Sequence, residues 1–88
     1  MVRVILLDPA DNVATLVGAG RKGDTVELVT LLNDIPSGHK VALRAIGRGE
    51  QVIKYGAPIG IATSDIAPGT HVHIHNVESA RGKGRGTE

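Results

Sequence analysis

Apolar residues in this chain come in short runs, "VRVILL", "NVATLVG", "TVELVTLL", "KVALRAI", "QVIKYG", "PIGIAT" and "HVHIHNV", parted by glycine, proline and polar residues. The runs are dominated by Val, Ile, Leu and Ala, and their β-branched members suit an extended backbone better than a helix. Turn residues return so often that no segment is long enough for a helix of ordinary length. The pattern predicts an all-β domain of short strands and tight turns. One stretch, "TVELVTLLNDI", has a partly helical look, but its β-branched residues and missing N-cap signal make it a strand.

Three of the turns share a pattern. Ile-x-x-Gly-x-x-Val occurs at Ile35/Gly38/Val41, Ile46/Gly49/Val52 and Ile66/Gly69/Val72. The physical reading is a buried isoleucine, a turn whose left-handed residue is glycine, and a valine that re-enters the core as the next strand begins. Pro36 and Pro68 fix φ within two of these turns. The units are too short to stack as a solenoid, so they are turns of a single domain.

The last run carries candidate chemistry. On a strand, alternate side chains point to opposite faces, so Val72 and Ile74 are expected in the core, with His71, His73 and His75 on the other side. Two histidines two apart on a strand are separated by roughly 6.5–7 Å of backbone, and their rings can converge on one metal ion. This makes a two-ligand half-site. Further ligands would come from His39, Asp8, Asp11, a substrate or another chain, and Asn76 would orient the strand. The plainer reading is a polar outer face on an edge strand. His39, Lys40, Lys54 and Tyr55 also lie beside turns, and a lysine near a metal-bound hydroxy acid can have its pKa lowered enough to act as a base.

Composition narrows the class. A chain of 88 residues leaves much of its apolar surface in water, so a homo-oligomer or a larger partner is expected. Cysteine is absent, which excludes a disulfide framework, and the amino end has no signal-peptide pattern, so the expected location is cytoplasmic. No apolar run approaches the roughly twenty residues that span a bilayer, and membrane insertion is not expected. A formal charge of +1 gives no general field for nucleic acid, and "RGKGRG" lacks the interleaved aromatics of nucleic-acid-binding segments. Residues 1–77 read as the domain and 78–88 as a flexible Gly-rich basic tail. "GAGRKG" matches a dinucleotide fingerprint, but a strand follows it where a helix is required, so it reads as a mobile hairpin connection turning at Gly20 and Gly23.

Taken together, "DNVATL", "DIPSGHKVALRAIGRGEQVIKYGAPIGIATSDIAPGTHVHIHN" and "VESARGKGRG" resemble the amino-terminal SAF-type domain of altronate and D-galactarate dehydratases. The motifs that carry the resemblance are Gly38-His39-Lys40, Lys54-Tyr55-Gly56 with Pro58-Ile59-Gly60, and Val72-His73 with His75-Asn76. The resemblance implies a β-clip fold and a part in dehydrating a sugar acid, alongside a large catalytic subunit or region. It also implies a divalent metal, Fe2+ first and Mn2+ second, shared with that partner. On this basis His73 and His75 are expected to hold the metal or the substrate's oxygens, and His39 or Lys54 to be the proton-transfer or carboxylate-binding group. Lys40, Tyr55 and Asn76 contact the substrate. His71 departs from the motif and is not expected to ligate. The same pattern is similar to the alpha subunit of sulfolactate sulfo-lyase, which expels sulfite where the dehydratases expel water. A non-catalytic carbohydrate-binding or assembly module is the remaining alternative.

Overall fold

The computed structural model describes residues 3–5 and 8–79. Among them there is no helix, as the turn spacing requires, and none that could cross a membrane. The strands are β1 (Arg3–Ile5), β2 (Val13–Val17), β3 (Thr25–Val26), β4 (Val29–Thr30), β5 (Lys40–Ala42), β6 (Gln51–Lys54), β7 (Ala57–Ala62), β8 (His71–Val72) and β9 (Val77–Ser79). They form three antiparallel sheets in the orders β1-β2-β5-β8, β3-β4 and β6-β7-β9.

The central pair, β2 and β5, is buried on both faces. Val13 and its partner Ala42 join Ile46, Val52, Ala62, Ile66 and Val72 in one core. Ala14 and its partner Val41 point the other way, into a second core with Leu16, Val26, Leu31 and Ile35. Neighbouring side chains on a strand face opposite ways, so a strand between two cores needs apolar residues in succession, as "VATLV" supplies.

The three Ile-x-x-Gly-x-x-Val units are built as expected. Every isoleucine and valine of the pattern is buried, and Gly38, Gly49 and Gly69 have φ of 87°, 88° and 89°. Each glycine is the third residue of a turn closed by a backbone bond, from His39 to Pro36, Glu50 to Gly47 and Thr70 to Ala67. A fourth unit of the same shape is hidden in the sequence because Gly20 replaces the isoleucine. Gly23 has φ 97°, the Asp24 amide donates to the Arg21 carbonyl, and Val26 is buried.

These four turns pair off, and the pairing exposes a duplication. Gly20 and Ile35 exchange two backbone hydrogen bonds, as do Ile46 and Ile66. Gly38 donates to Leu16 and Gly69 to Ala42; Gly23 donates to Leu31 and Gly49 to Ala62. The Lys22 amide is held by Asp34 Oδ1, and the Arg48 amide by Asp65 Oδ1. Each half builds one core, with Leu16, Gly20 and Leu31 in one standing where Ala42, Ile46 and Ala62 stand in the other. Large and small residues trade places, which keeps the filled volume similar.

Several expectations are corrected. Residues 25–32 do not form one strand, because the chain reverses between β3 and β4 at Glu27 and Leu28, with φ of 47° and 68°. The segment "GAGRKG" is not a loose connection. Gly20 sits in the bridge to Ile35 and not at a turn, and the amides from Gly20 to Asp24 are all hydrogen-bonded within the protein. A phosphate would find no free amide between Gly20 and Asp24. Ordered chain continues past Val77, since Glu78 and Ser79 pair with β7 in β9. The tail expected to be flexible otherwise falls on residues 80–88, outside the described residues. Finally, Ile74 is not in the core; it is 84% exposed, because the strand ends at Val72 and residues 74–76 form a turn.

Candidate metal centre

Two distant segments meet at the edge formed by β5 and β8. His39 follows the Pro36-Ser37-Gly38 turn and directly precedes β5, while His71 opens β8. The strands pair with Lys40 opposite Val72 and Val41 opposite His71, so the same register carried on by one residue sets His39 opposite His73. Their rings stack with centroids 4.2 Å apart. His39 Nδ1 and His71 Nε2 are 2.8 Å apart, a hydrogen bond in which one nitrogen must carry the proton. The His71 and His73 centroids are 5.7 Å apart and nearly parallel.

One ligand atom from each of His39, His71 and His73 lies within 4.8 Å of the others, and all three rings are half-buried. This is the only such group of three among the described residues. His75 is exposed, with its ring tilted 5.2 Å from that of His71. The trio therefore contains His39, weighed as a further ligand, and His71, which was not expected to ligate, while the expected ligand His75 lies outside it. Its third member, His73, was expected.

Asn76 sets the loop that makes this possible. It is 5% exposed, its Oδ1 accepts from the His73 amide at 3.0 Å, and its Nδ2 donates to the His71 carbonyl at 3.0 Å. The side-chain amide is thus committed to the backbone on either side of Val72. It orients the histidines rather than facing a solute.

At His71 and His73 the electrostatics favour the neutral imidazole. Partial burial pushes the His71 pKa below its ordinary 6.5, and the positive forms of His39, His75 and His73 push the same way. His73 is also lowered, by desolvation first and then by His39, Lys40 and His75. Neutral imidazole is the form that ligates metal. Three imidazole nitrogens suit zinc or ferrous iron and are a poor match for calcium or magnesium, which prefer oxygen.

Lys40, on β5 between Thr15 and Val72, stands at the same edge. With His73, Val52, Ile59 and Val77 it lines an open pocket of about 240 Å³. Thr15, its cross-strand neighbour, has a buried hydroxyl with no hydrogen-bond partner.

Lys54 and Tyr55 belong to a different sheet, at the β6–β7 turn. Lys54 Nζ donates to Tyr55 Oη at 2.8 Å and lies 4.1 Å from the ring centroid. Tyr55 and Gly56 take φ of 58° and 72°, and the Gly56 amide donates to Asp11 Oδ1. Asp8 packs against Gly56, and Asp8 Oδ1 accepts the Ala10 amide. Both aspartates weighed as ligands are therefore engaged at this turn, away from the histidine trio.

Comparison with known proteins agrees with the architecture. Residues 2–80 match the family model described as the altronate/galactarate dehydratase SAF domain. Altronate dehydratase of Escherichia coli is 44% identical over 82 residues, covering 89% of this chain and 17% of that protein. The (2R)-sulfolactate sulfo-lyase subunit alpha of Chromohalobacter salexigens is 35% identical over 80 residues, covering 91% of this chain and 85% of that subunit. The same subunit of Paracoccus pantotrophus is 49% identical over 53 residues, or 60% of this chain and 79% of the subunit. Against the dehydratases the chain thus spans about a sixth of their length, and against the sulfo-lyase subunits most of it. With a family match that spans the whole described fold, the chain belongs to the SAF domains of the altronate and galactarate dehydratases.

Proposed function

We propose that this chain is the small component of a metal-dependent hydro-lyase that removes water from a 2,3-dihydroxy sugar acid, in a site completed by a larger catalytic partner. The observation that carries this reading is the meeting of three imidazoles at an open edge beside a lysine, with no carboxylate among them. Such an edge offers a divalent ion and a positive charge but leaves the substrate's remaining contacts to another surface. That the chain matches only 17% of a dehydratase supports the same division of labour.

The chemistry asks for help at two places. The α-proton of a carboxylate is weakly acidic, and hydroxide leaves poorly. A divalent ion held by the imidazoles would polarise the carboxylate and 2-hydroxyl oxygens and so favour transfer of the α-proton to a base supplied by the catalytic partner. Lys40 Nζ pairs with the carboxylate and holds the acid in one orientation. Of the two proton-transfer candidates, His39 shares a hydrogen bond with His71, and Lys54 donates to Tyr55 in another sheet. We therefore assign proton delivery to the leaving oxygen to His75, the imidazole that stands outside the trio.

A second reading has a specific support of its own. Similarity to the sulfo-lyase subunit extends over 85% of that subunit, and expulsion of sulfite from a 2-hydroxy acid makes the same demands on metal and proton donor. The test is turnover of hexonates, hexarates and sulfolactate with ferrous ion, by this chain alone and combined with a large catalytic subunit of either class. Activity only in the combination supports the shared site, and the substrate turned over selects between the two readings. In the active complex, His73→Ala should lower kcat by at least about 100-fold, the lower range for loss of an acid–base or electrophilic contribution. Full activity of that variant, or a folded complex inert toward every substrate, would leave a binding or assembly role.

A further inference from the structure

We propose that His39, His71 and His73 form a three-imidazole site for one divalent transition ion, complete within this chain, with His75 outside it. The inference rests on the metal-dependent reading above and deepens it by naming the ligands and by removing the need for a partner to hold the ion.

The geometry is already close to what an ion needs. Two imidazole nitrogens each about 2.0–2.1 Å from a tetrahedral ion stand about 3.3 Å apart. His39 Nδ1 and His71 Nε2 are 2.8 Å apart, so an opening of about half an ångström admits the ion. His73 stacks on His39 and brings a third nitrogen within 4.8 Å. With three protein ligands, at least one position stays open, as in zinc sites that act on substrates.

Backbone anchoring separates the three from the fourth. The His39 amide donates to Pro36, and its carbonyl accepts from Leu16. The His71 amide donates to Asn33 Oδ1, and its carbonyl accepts from Asn76 Nδ2. The His73 amide donates to Asn76 Oδ1, and its carbonyl accepts from the Asn76 amide. Each of the three is thus fixed at both backbone polar groups. His75, at the exposed turn, has no such bonds among the described residues. A site whose ligands are held before the ion arrives loses little order on binding, and this one is held at three points by Asn76.

Loading the ion has a local consequence. The proton between His39 and His71 sits on one of the two facing nitrogens, and that ring must carry it on its other nitrogen before both can ligate.

The experiment is titration of the 88-residue chain with Co2+ and Zn2+, read by visible absorption, calorimetry and nitrogen-15 NMR of the imidazoles. One ion per chain is expected, with shifts on His39, His71 and His73 and a tautomer change on one of the first two. His71→Gln should weaken affinity more than about 100-fold, beyond the usual loss for an outer residue, and His75→Gln should leave it unchanged. Thermal unfolding of each variant without metal separates lost ligation from lost fold. Binding that disappears with His75→Gln and survives His71→Gln overturns the ligand set. A folded wild-type chain that binds neither ion overturns the self-contained site, while turnover by the two-component complex would keep the lyase reading alive.

Discussion

The Asn76 side chain accepts a hydrogen bond from the His73 amide at 3.0 Å, closing the turn that follows β8 while His73 stacks on His39. Its other end is bonded to the His71 carbonyl, so one buried amide fixes two histidines. Asn76→Ala leaves a partly buried N–H and C=O without partners. A loss of about 1–3 kcal/mol in urea unfolding is expected, together with weaker metal affinity. Unchanged stability would show that water replaces the amide freely.

Two glycines of the same turn pattern should respond differently to alanine. Gly38 has φ 87° with open space where a Cβ would stand, so Gly38→Ala meets only the left-handed backbone cost, about 1–2 kcal/mol. At Gly69 the added Cβ would overlap the Thr30 carbonyl oxygen, and the Gly69 carbonyl also holds the Leu32 amide. Gly69→Ala should therefore cost clearly more than Gly38→Ala, or prevent folding. Equal thermal shifts for the two variants would argue against this packing.

The β3–β4 reversal is strained and uncovered. Glu27 and Leu28 hold positive φ without being glycine, and Leu28 is 99% exposed. Replacing the pair with Asn-Gly supplies residues that tolerate this turn and removes no core contact. An increase of about 1 kcal/mol is expected, seen as a rise of roughly 4–8 °C in Tm. If this variant is stabilised but no longer assembles with a large subunit, the tip serves the partner.

Stability should fall on the acid side through the histidine cluster. His71 and His73 have folded pKa values below the ordinary 6.5, so near that pH the unfolded chain binds protons that the folded chain does not. Their contribution is fully present above about pH 6.5 and is lost as pH drops toward the lowered values. Urea unfolding at pH 7.5 and 5.5 should show the drop, and His71→Gln should reduce it. A drop of the same size in that variant would place the acid sensitivity elsewhere.

Much of the fold was legible because it is written locally. An Ile, a Gly three later and a Val three after that act through one turn, and all three recognised units are built as the spacing requires. The fourth was missed because Gly20 does not look like a core residue. Its role appears only when Ile35 is seen bonded to it. The family was likewise carried by contiguous motifs such as Gly38-His39-Lys40, and the family match covers residues 2–80.

By itself, then, the sequence determined an all-β chain, its turns, its family and the histidines as the chemistry worth attention. Tertiary structure decided which histidines stand together. Strand alternation holds only while a strand lasts, and β8 ends at Val72, so Ile74 swings into water and His75 leaves the line. His39 joins His71 across 32 residues of sequence through the β5–β8 pairing, which no local pattern encodes. The same pairing leaves Lys54 and Tyr55 on another sheet. Turn chemistry depends on neighbours along the chain, whereas a ligand set depends on register between strands, and only the folded chain fixes that.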